Sequence, residues 1–285
     1  MSISISSSAM LVDLSIGTWT ARKLDRSVTD EVNSNKKASK SASRVNKNLL
    51  PEVKQLDRIN KFVSATRKWM YQETLPWSDY GPRLIPTAKF FDFKRKLDEA
   101  KTEFEDMVQD FLTDYPTLIS AQAFELGDMF NRDEYPSVDS IASRFNFRAS
   151  FIPVPESGDF RVDIGDEAAE ELRTQYEQEY MARYENALAD IRSRIAVGLK
   201  HLSERFTDND DGNHKRFNND ILERFIETLS TVRALNLTND PQIAKIIHES
   251  EWAVANVDVE EVRDSKEIRK DVRNRVDSIL ETFNF

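Results

Sequence analysis

The chain has 285 residues, of which 39% are hydrophobic and 32% charged, with a formal net charge of −10 and no cysteine. That length holds one large domain or two modest ones and is ample for a buried core. The missing cysteines exclude disulfides, thiol nucleophiles, thiolate zinc sites and iron–sulfur clusters, and the acidic balance opposes nucleic acid and anionic membranes on average.

Only 7 glycines and 9 prolines are present, which leaves room for long helices and argues against an all-β fold. The opening Met1–Ala9 is Ser-rich and lacks basic residues before an apolar core, so it does not read as a signal peptide. No apolar run approaches the ~18 residues of a membrane span. The expected location is cytoplasmic.

Residues 11–20 alternate, with Val12, Leu14 and Ile16 on one face and Asp13, Ser15 and Gly17 on the other. That predicts a strand. Residues 33–48 are rich in Ser, Asn and Lys and nearly free of large apolar side chains. They predict a linker, or a helix ordered only by a partner. From Pro51 the pattern turns helical through Val53, Leu56, Ile59, Val63, Trp69 and Met70. The segment 74–86 contains Pro76, Pro82, Pro86 and Gly81 and predicts an irregular loop.

Thr87–Tyr115 reads as a long helix, with Phe90, Phe93, Leu97, Ala100, Phe104, Met107 and Phe111 spaced as in a coiled-coil seam. Pro116 is expected to start another helix, and Ser137 to cap a short one reaching Phe145. Phe147–Pro155 and Phe160–Ile164 around Glu156-Ser-Gly158 predict a β-hairpin, its prolines placing the first strand at an edge. With residues 11–20 it would form a three-stranded sheet. Glu167–Phe206 carries the strongest helical pattern, from Leu172, Tyr176 and Tyr180 through Leu188, Ile195 and Leu202. Forty residues span about 60 Å, which predicts antiparallel pairing with the 87–115 helix. After a polar loop, three shorter helices are expected at Ile221–Leu235, Pro241–Val254 and Val259–Phe283.

The predicted fold is mainly α with a small antiparallel β-sheet, built on a long antiparallel helical hairpin plus a C-terminal helical bundle. The predicted organisation is an N-terminal strand and basic flexible segment at 1–50, the hairpin and sheet at 51–206, and a helical subdomain at 207–285.

No phosphate-binding glycine loop, dinucleotide fingerprint or nucleophile elbow is present. His201, His214 and His248 are scattered, and no two share a helix turn. The loop Thr207-Asp-Asn-Asp-Asp-Gly212 resembles a calcium loop, but its first and twelfth positions are Thr207 and Asn218 where carboxylates are required. Acidic residues Asp163, Asp166, Glu170 and Glu171 gather where a long helix begins, and the helix dipole accounts for them. No catalytic residue, cofactor or metal is expected.

Two sets of binding candidates remain. Trp77, Asp79, Tyr80 and Arg83 lie in the proline-rich loop, where aromatics with Arg suit an interface hot spot; the other reading is that Trp77 plugs a gap between helices. Lys36, Lys37, Lys40, Arg44 and Lys47 give 33–48 a charge of +5 with no intervening acid. They could track phosphates, with Trp19, Phe151 and Phe160 stacking bases of single-stranded DNA; the other reading is a solvated linker.

Several stretches resemble an uncharacterised family of bacteriophage proteins over roughly residues 10–205. They are Val12–Leu24, Glu73–Asp79, Asp114–Leu118, Leu126–Pro136 and Phe151–Asp163. In some phage genomes such proteins are encoded near MoxR-type AAA+ ATPases and von Willebrand-A-like proteins. The resemblance implies an adaptor or client, with a host or phage protein as partner, an AAA+ ATPase among the candidates. The expectation is a phage-encoded, non-enzymatic interaction protein in the host cytoplasm, possible as a homo-oligomer. The alternative is a nucleic-acid-binding protein.

Overall fold

The computed structural model describes residues 5–78, 81–155, 166–207, 219–255, 257, 262 and 265–285. The elements run α1 (Ile5–Ser8), β1 (Ala9–Gly17), β2 (Arg22–Leu24), α2 (Arg26–Asn35), β3 (Asn46–Asn48), α3 (Lys54–Glu73), β4 (Leu75–Pro76) and β5 (Arg83–Pro86). They continue with α4 (Phe90–Leu126), α5 (Val138–Ala142), β6 (Asn146–Pro153), α6 (Asp166–Phe206), α7 (Asn219–Leu235), α8 (Pro241–Val254) and α9 (Lys266–Thr282). The fold is mainly α with a small antiparallel sheet, as the composition requires. No helix among the described residues is long and apolar enough to cross a membrane.

The chain forms two compact units. One unit comprises residues 1–13, 70–91 and 150–285, the other 14–69 and 92–149. The sheet order is β4-β5-β1-β6. β5 pairs antiparallel with β1, Leu84 opposite Leu11, and with β4, Leu75 opposite Leu84. Strands β4 and β5 thus correct the expected loop at 74–86. Pro76 sits on an edge strand and Pro86 closes β5, the positions where a missing N–H is tolerated. The expected second hairpin strand at 160–164 lies outside the described residues.

In the first unit, α6 packs on α7, α8 and α9. Its Leu188, Ile191, Ile195, Leu199 and Leu202 share one core with Leu229, Ile243, Val272 and Val276. In the second unit, α4 buries Phe104, Phe111 and Tyr115, with Phe145 and Phe147 against Phe104 at 6.4 and 5.8 Å. The residues expected to be buried in a hairpin are buried, but the two long helices fall in different units. The C-terminal helices supply the apolar surface that α6 needs. Helix α4 also runs through Pro116 instead of restarting there. Phe111, Tyr115 and Ile119 are all buried, and this packing on both sides of the proline offsets an interior-proline cost of about 3 kcal/mol.

The segment expected to be a flexible linker is folded by polar contacts. Asp25 caps α2, accepting from the Val28 amide at 3.1 Å, and this bond holds its carboxyl below the ordinary carboxylate range. Thr29 Oγ1 accepts from the Val45 amide at 3.0 Å. Asn33 accepts from Ser43 Oγ at 2.7 Å and donates to the Lys40 carbonyl at 3.3 Å. β3 then pairs antiparallel with β2. Short polar side chains bonded to nearby backbone take the place of an apolar core here.

Candidate interaction surface

The first unit's strand pair β4–β5 is fixed by arginines. Helix α3 ends with carbonyls that have no intrahelical partner, and Arg194 of α6 supplies donors. It reaches the carbonyls of Gln72 at 2.6 Å, Tyr71 at 2.9 Å and Thr74 at 2.7 Å. Asp190, one turn earlier, holds the Arg194 guanidinium at 2.7 Å. Thr74 is fully buried; its hydroxyl donates to the Met70 carbonyl at 2.6 Å and accepts from Arg83 Nε at 2.7 Å. Burial pushes the Arg83 pKa down and neighbouring Arg194 adds to this, while Asp190 opposes it. The Arg83 guanidinium lies 4.5 Å from the centre of the Tyr71 ring.

This geometry corrects the expectation that Trp77 and Arg83 present an interface. Trp77 is 4% exposed and belongs to the core of its unit. Its ring meets Tyr180 edge-on at 5.3 Å, and the Arg183 guanidinium lies 5.8 Å away. Arg83 spends its donors on Thr74. The plug reading of Trp77 is the one the packing supports. Asp79 and Tyr80 lie outside the described residues. Arg194 and Asp190 escape sequence reasoning because an i,i+4 Asp–Arg pair is common on helix surfaces; nothing local reveals that the arginine faces another helix's end.

The nucleic-acid candidates are likewise divided. Trp19 is 4% exposed, edge-on to Tyr115 at 5.7 Å and 6.4 Å from Phe111, so it cannot stack a base. Lys47 is buried, bonded to the Met129 carbonyl at 2.7 Å and to Glu134 at 2.5 Å, with Asp25 at 3.6 Å. Those acids compensate its charge inside the second unit. Phe151 is half-buried and packs edge-on to Phe90 at 5.1 Å. Phe160 lies outside the described residues. Lys36, Lys37, Lys40 and Arg44 are exposed, at and beyond the C-terminal end of α2, where cations favour the helix dipole. Among the described residues, no group of three or more His, Asp or Glu is placed to hold a metal ion.

Helix α6 is buried unevenly along its length. From Ala187 onward its inner positions are in the core. Among Glu170–Asn186 none is buried, over about 25 Å of helix. Leu172, Tyr176, Tyr180 and Tyr184 recur every four residues and are half-buried. Tyr180 and Tyr184 pack against the core, whereas Leu172 and Tyr176 are not in that cluster of the described residues. Met181 is 53% exposed.

A small antiparallel sheet with long helices defines a mainly α protein of the α+β class. The chain belongs to the family described as "Protein of unknown function (DUF3150)", whose model matches residues 7–205. No curated protein and no solved structure matches it. The matched region ends at the last turn of α6, so the helices α7–α9 that cover its inner half lie beyond it.

Proposed function

We propose that the chain is a phage-encoded, non-enzymatic interaction protein, an adaptor, scaffold or inhibitor of a host or phage protein complex, acting in the host cytoplasm. The observation that supports this reading is the outer half of α6. A helix needs an apolar stripe covered to be stable in a folded protein, and Leu172 and Tyr176, one turn apart and half-buried, are not in the core cluster of the described residues that covers the inner half. Tyrosines supply large contact area at low entropic cost, which suits recognition. The resemblance to phage proteins encoded near AAA+ ATPases makes such an ATPase one candidate partner.

Nucleic-acid binding is the weaker reading. With Trp19 and Lys47 buried, it rests on four exposed cations in a chain of net charge −10. The test is affinity capture with the full chain from infected cells, with and without nuclease, using wild type and the Leu172→Ser/Tyr176→Ser variant. The reading expects a protein captured in near-stoichiometric amount, resistant to nuclease and lost with the variant. No captured protein, or one lost on nuclease treatment, would refute it.

A further inference from the structure

We propose that the loop 36–44 of the second unit docks an acidic segment, rich in Asp or Glu, of a protein partner. The proposal goes beyond the reading above: it shares with it only a protein as partner and uses none of the α6 residues. Three observations carry it.

The first is order. Helix α2 ends in a Schellman arrangement: the Lys37 amide donates to the Ser34 carbonyl at 3.0 Å and the Ala38 amide to the Asn33 carbonyl at 2.8 Å. The chain beyond is tied back by the Asn33 side chain, which holds the Lys40 carbonyl and Ser43 Oγ, and by the Ala42 amide on the Ser39 carbonyl at 3.0 Å. At its foot the Asp25 amide donates to the Val45 carbonyl at 2.9 Å. A compact loop closed by its own side chains orders little on binding and often carries function. Lys37 sits at φ 52°, the left-handed position that glycine usually fills in this motif. A side chain with a Cβ is strained there, so the fold gives no reason for a lysine.

The second is charge. Lys36, Lys37, Lys40 and Arg44 are exposed, and none of them pairs with a carboxylate among the described residues, Asp30 and Glu31 of α2 included. No acidic residue lies between Glu31 and Glu52. Asp25 and Glu134, which could have answered this segment, both face the buried Lys47 instead. Ser39 and Ser41 are exposed between the cations, their hydroxyls 3.3 Å apart, and add hydrogen-bond donors. Four bare cations with hydroxyls among them are chemistry for carboxylates or phosphates.

The third decides between those anions. Single-stranded nucleic acid is held by a cationic track together with aromatic platforms. Trp19 is packed against Tyr115 and Phe111, and no aromatic residue lies between Trp19 and Phe62. The four cations contribute +4 to a chain of net −10, so the remainder carries −14. A nucleic-acid strand or an anionic bilayer extends past the loop and meets that remainder. A short run of Asp or Glu needs only the loop: a few carboxylates match the four cations, and the residues flanking them are free to be neutral or basic.

The probe is a short fluorescent peptide of alternating glutamate and glycine, titrated by anisotropy onto the full chain at low salt and at about 150 mM salt. A serine–glycine peptide and an oligothymidylate several times longer are titrated beside it. The acidic peptide is expected to bind and to weaken with salt, the neutral peptide not to bind, and the oligothymidylate to bind on the order of tenfold more weakly than the acidic peptide. Lys36→Gln/Lys37→Gln/Lys40→Gln/Arg44→Gln should remove peptide binding while the protein stays folded, because backbone bonds and Asn33 order the loop. Lys37→Gly should weaken the peptide severalfold and melt no lower than wild type, a pairing that misfolding cannot produce. No binding of the acidic peptide at low salt, an oligothymidylate bound as tightly, or binding indifferent to these substitutions would overturn the proposal. If the peptide fails while infected-cell capture depends on Leu172 and Tyr176, the α6 reading stands and the loop proposal falls. If the peptide binds the loop while capture ignores Leu172 and Tyr176, the reverse holds.

Discussion

Trp77→Ala separates a core tryptophan from a surface one. The residue is 4% exposed, and its truncation removes the edge contact with Tyr180 and the seat of Arg183. Replacing a core Trp or Phe by Ala costs about 3–5 kcal/mol, and the ring pair adds about 0.5–1.5 kcal/mol beyond area burial. Arg183 is 38% exposed, so its contribution stays near the low end of cation–π values, about 0.5 kcal/mol. The sum is about 4–7 kcal/mol. At roughly 2–4 °C per kcal/mol for chains somewhat smaller than this one, melting followed by circular dichroism should drop by about 10 °C or more. Trp77→Phe keeps a ring in place and should lose less than half as much. A Trp77→Ala melt within a degree or two of wild type would refute the core assignment and return Trp77 to the surface.

Lys47→Met leaves Glu134 and Asp25 facing an uncharged side chain in a buried setting, at a cost of about 3–5 kcal/mol in urea denaturation, whereas Lys47→Met/Glu134→Leu should recover much of it. Equal losses in the single and double variants would contradict the ion-pair account. Gly198→Ala should destabilise, because a Cβ would press into the buried Phe225 ring, 2.6 Å from Cε2, and overpacking of about 1–3 kcal/mol exceeds the ~1 kcal/mol that alanine gains in a helix. A stabilised variant would show that the α6–α7 contact is loose. Burial pushes the Tyr115 hydroxyl up to about 12 and raises that of Tyr135, where Glu134 adds to the effect. Unfolded tyrosine ionises near pH ~10, so stability is complete below that pH and falls as pH rises towards 12. Tyr115→Phe should flatten this alkaline loss, and an unaltered alkaline profile would contradict the burial of that hydroxyl.

The sequence reveals elements whose signal is local. Asp240 followed by Pro241 marks the start of α8, and the observed helix Pro241–Val254 has the predicted bounds. Ser137 caps α5 by accepting from the Ser140 amide at 3.3 Å, as the residue type suggests. Burial of Val12 and Ile16 with exposure of Asp13 and Ser15 repeats the alternation read in β1. What escapes is decided by distant partners. An apolar stripe says that Leu188 and Ile195 are buried but not against what, and here the C-terminal helices take the place expected of 87–115. Prolines at 76 and 86 suggest a loop until the sheet supplies an edge and an end for them. The polar run 33–48 looks unstructured because its order comes from Asn33, Thr29 and Asp25 bonding to backbone, a pattern without periodicity. Among the site candidates, the type of residue was legible at Trp77 and Lys47, but exposure was not. The surface favoured by the fold, at Leu172 and Tyr176, reads in the sequence as ordinary helix core.

Hydrogen exchange on the complex recovered from infected cells, compared with the free protein, tests the central claim most directly. The account predicts slowed exchange on binding across residues 170–184 of α6, with the inner half of the helix unchanged. Protection confined to residues 36–44, or none along α6, would contradict it.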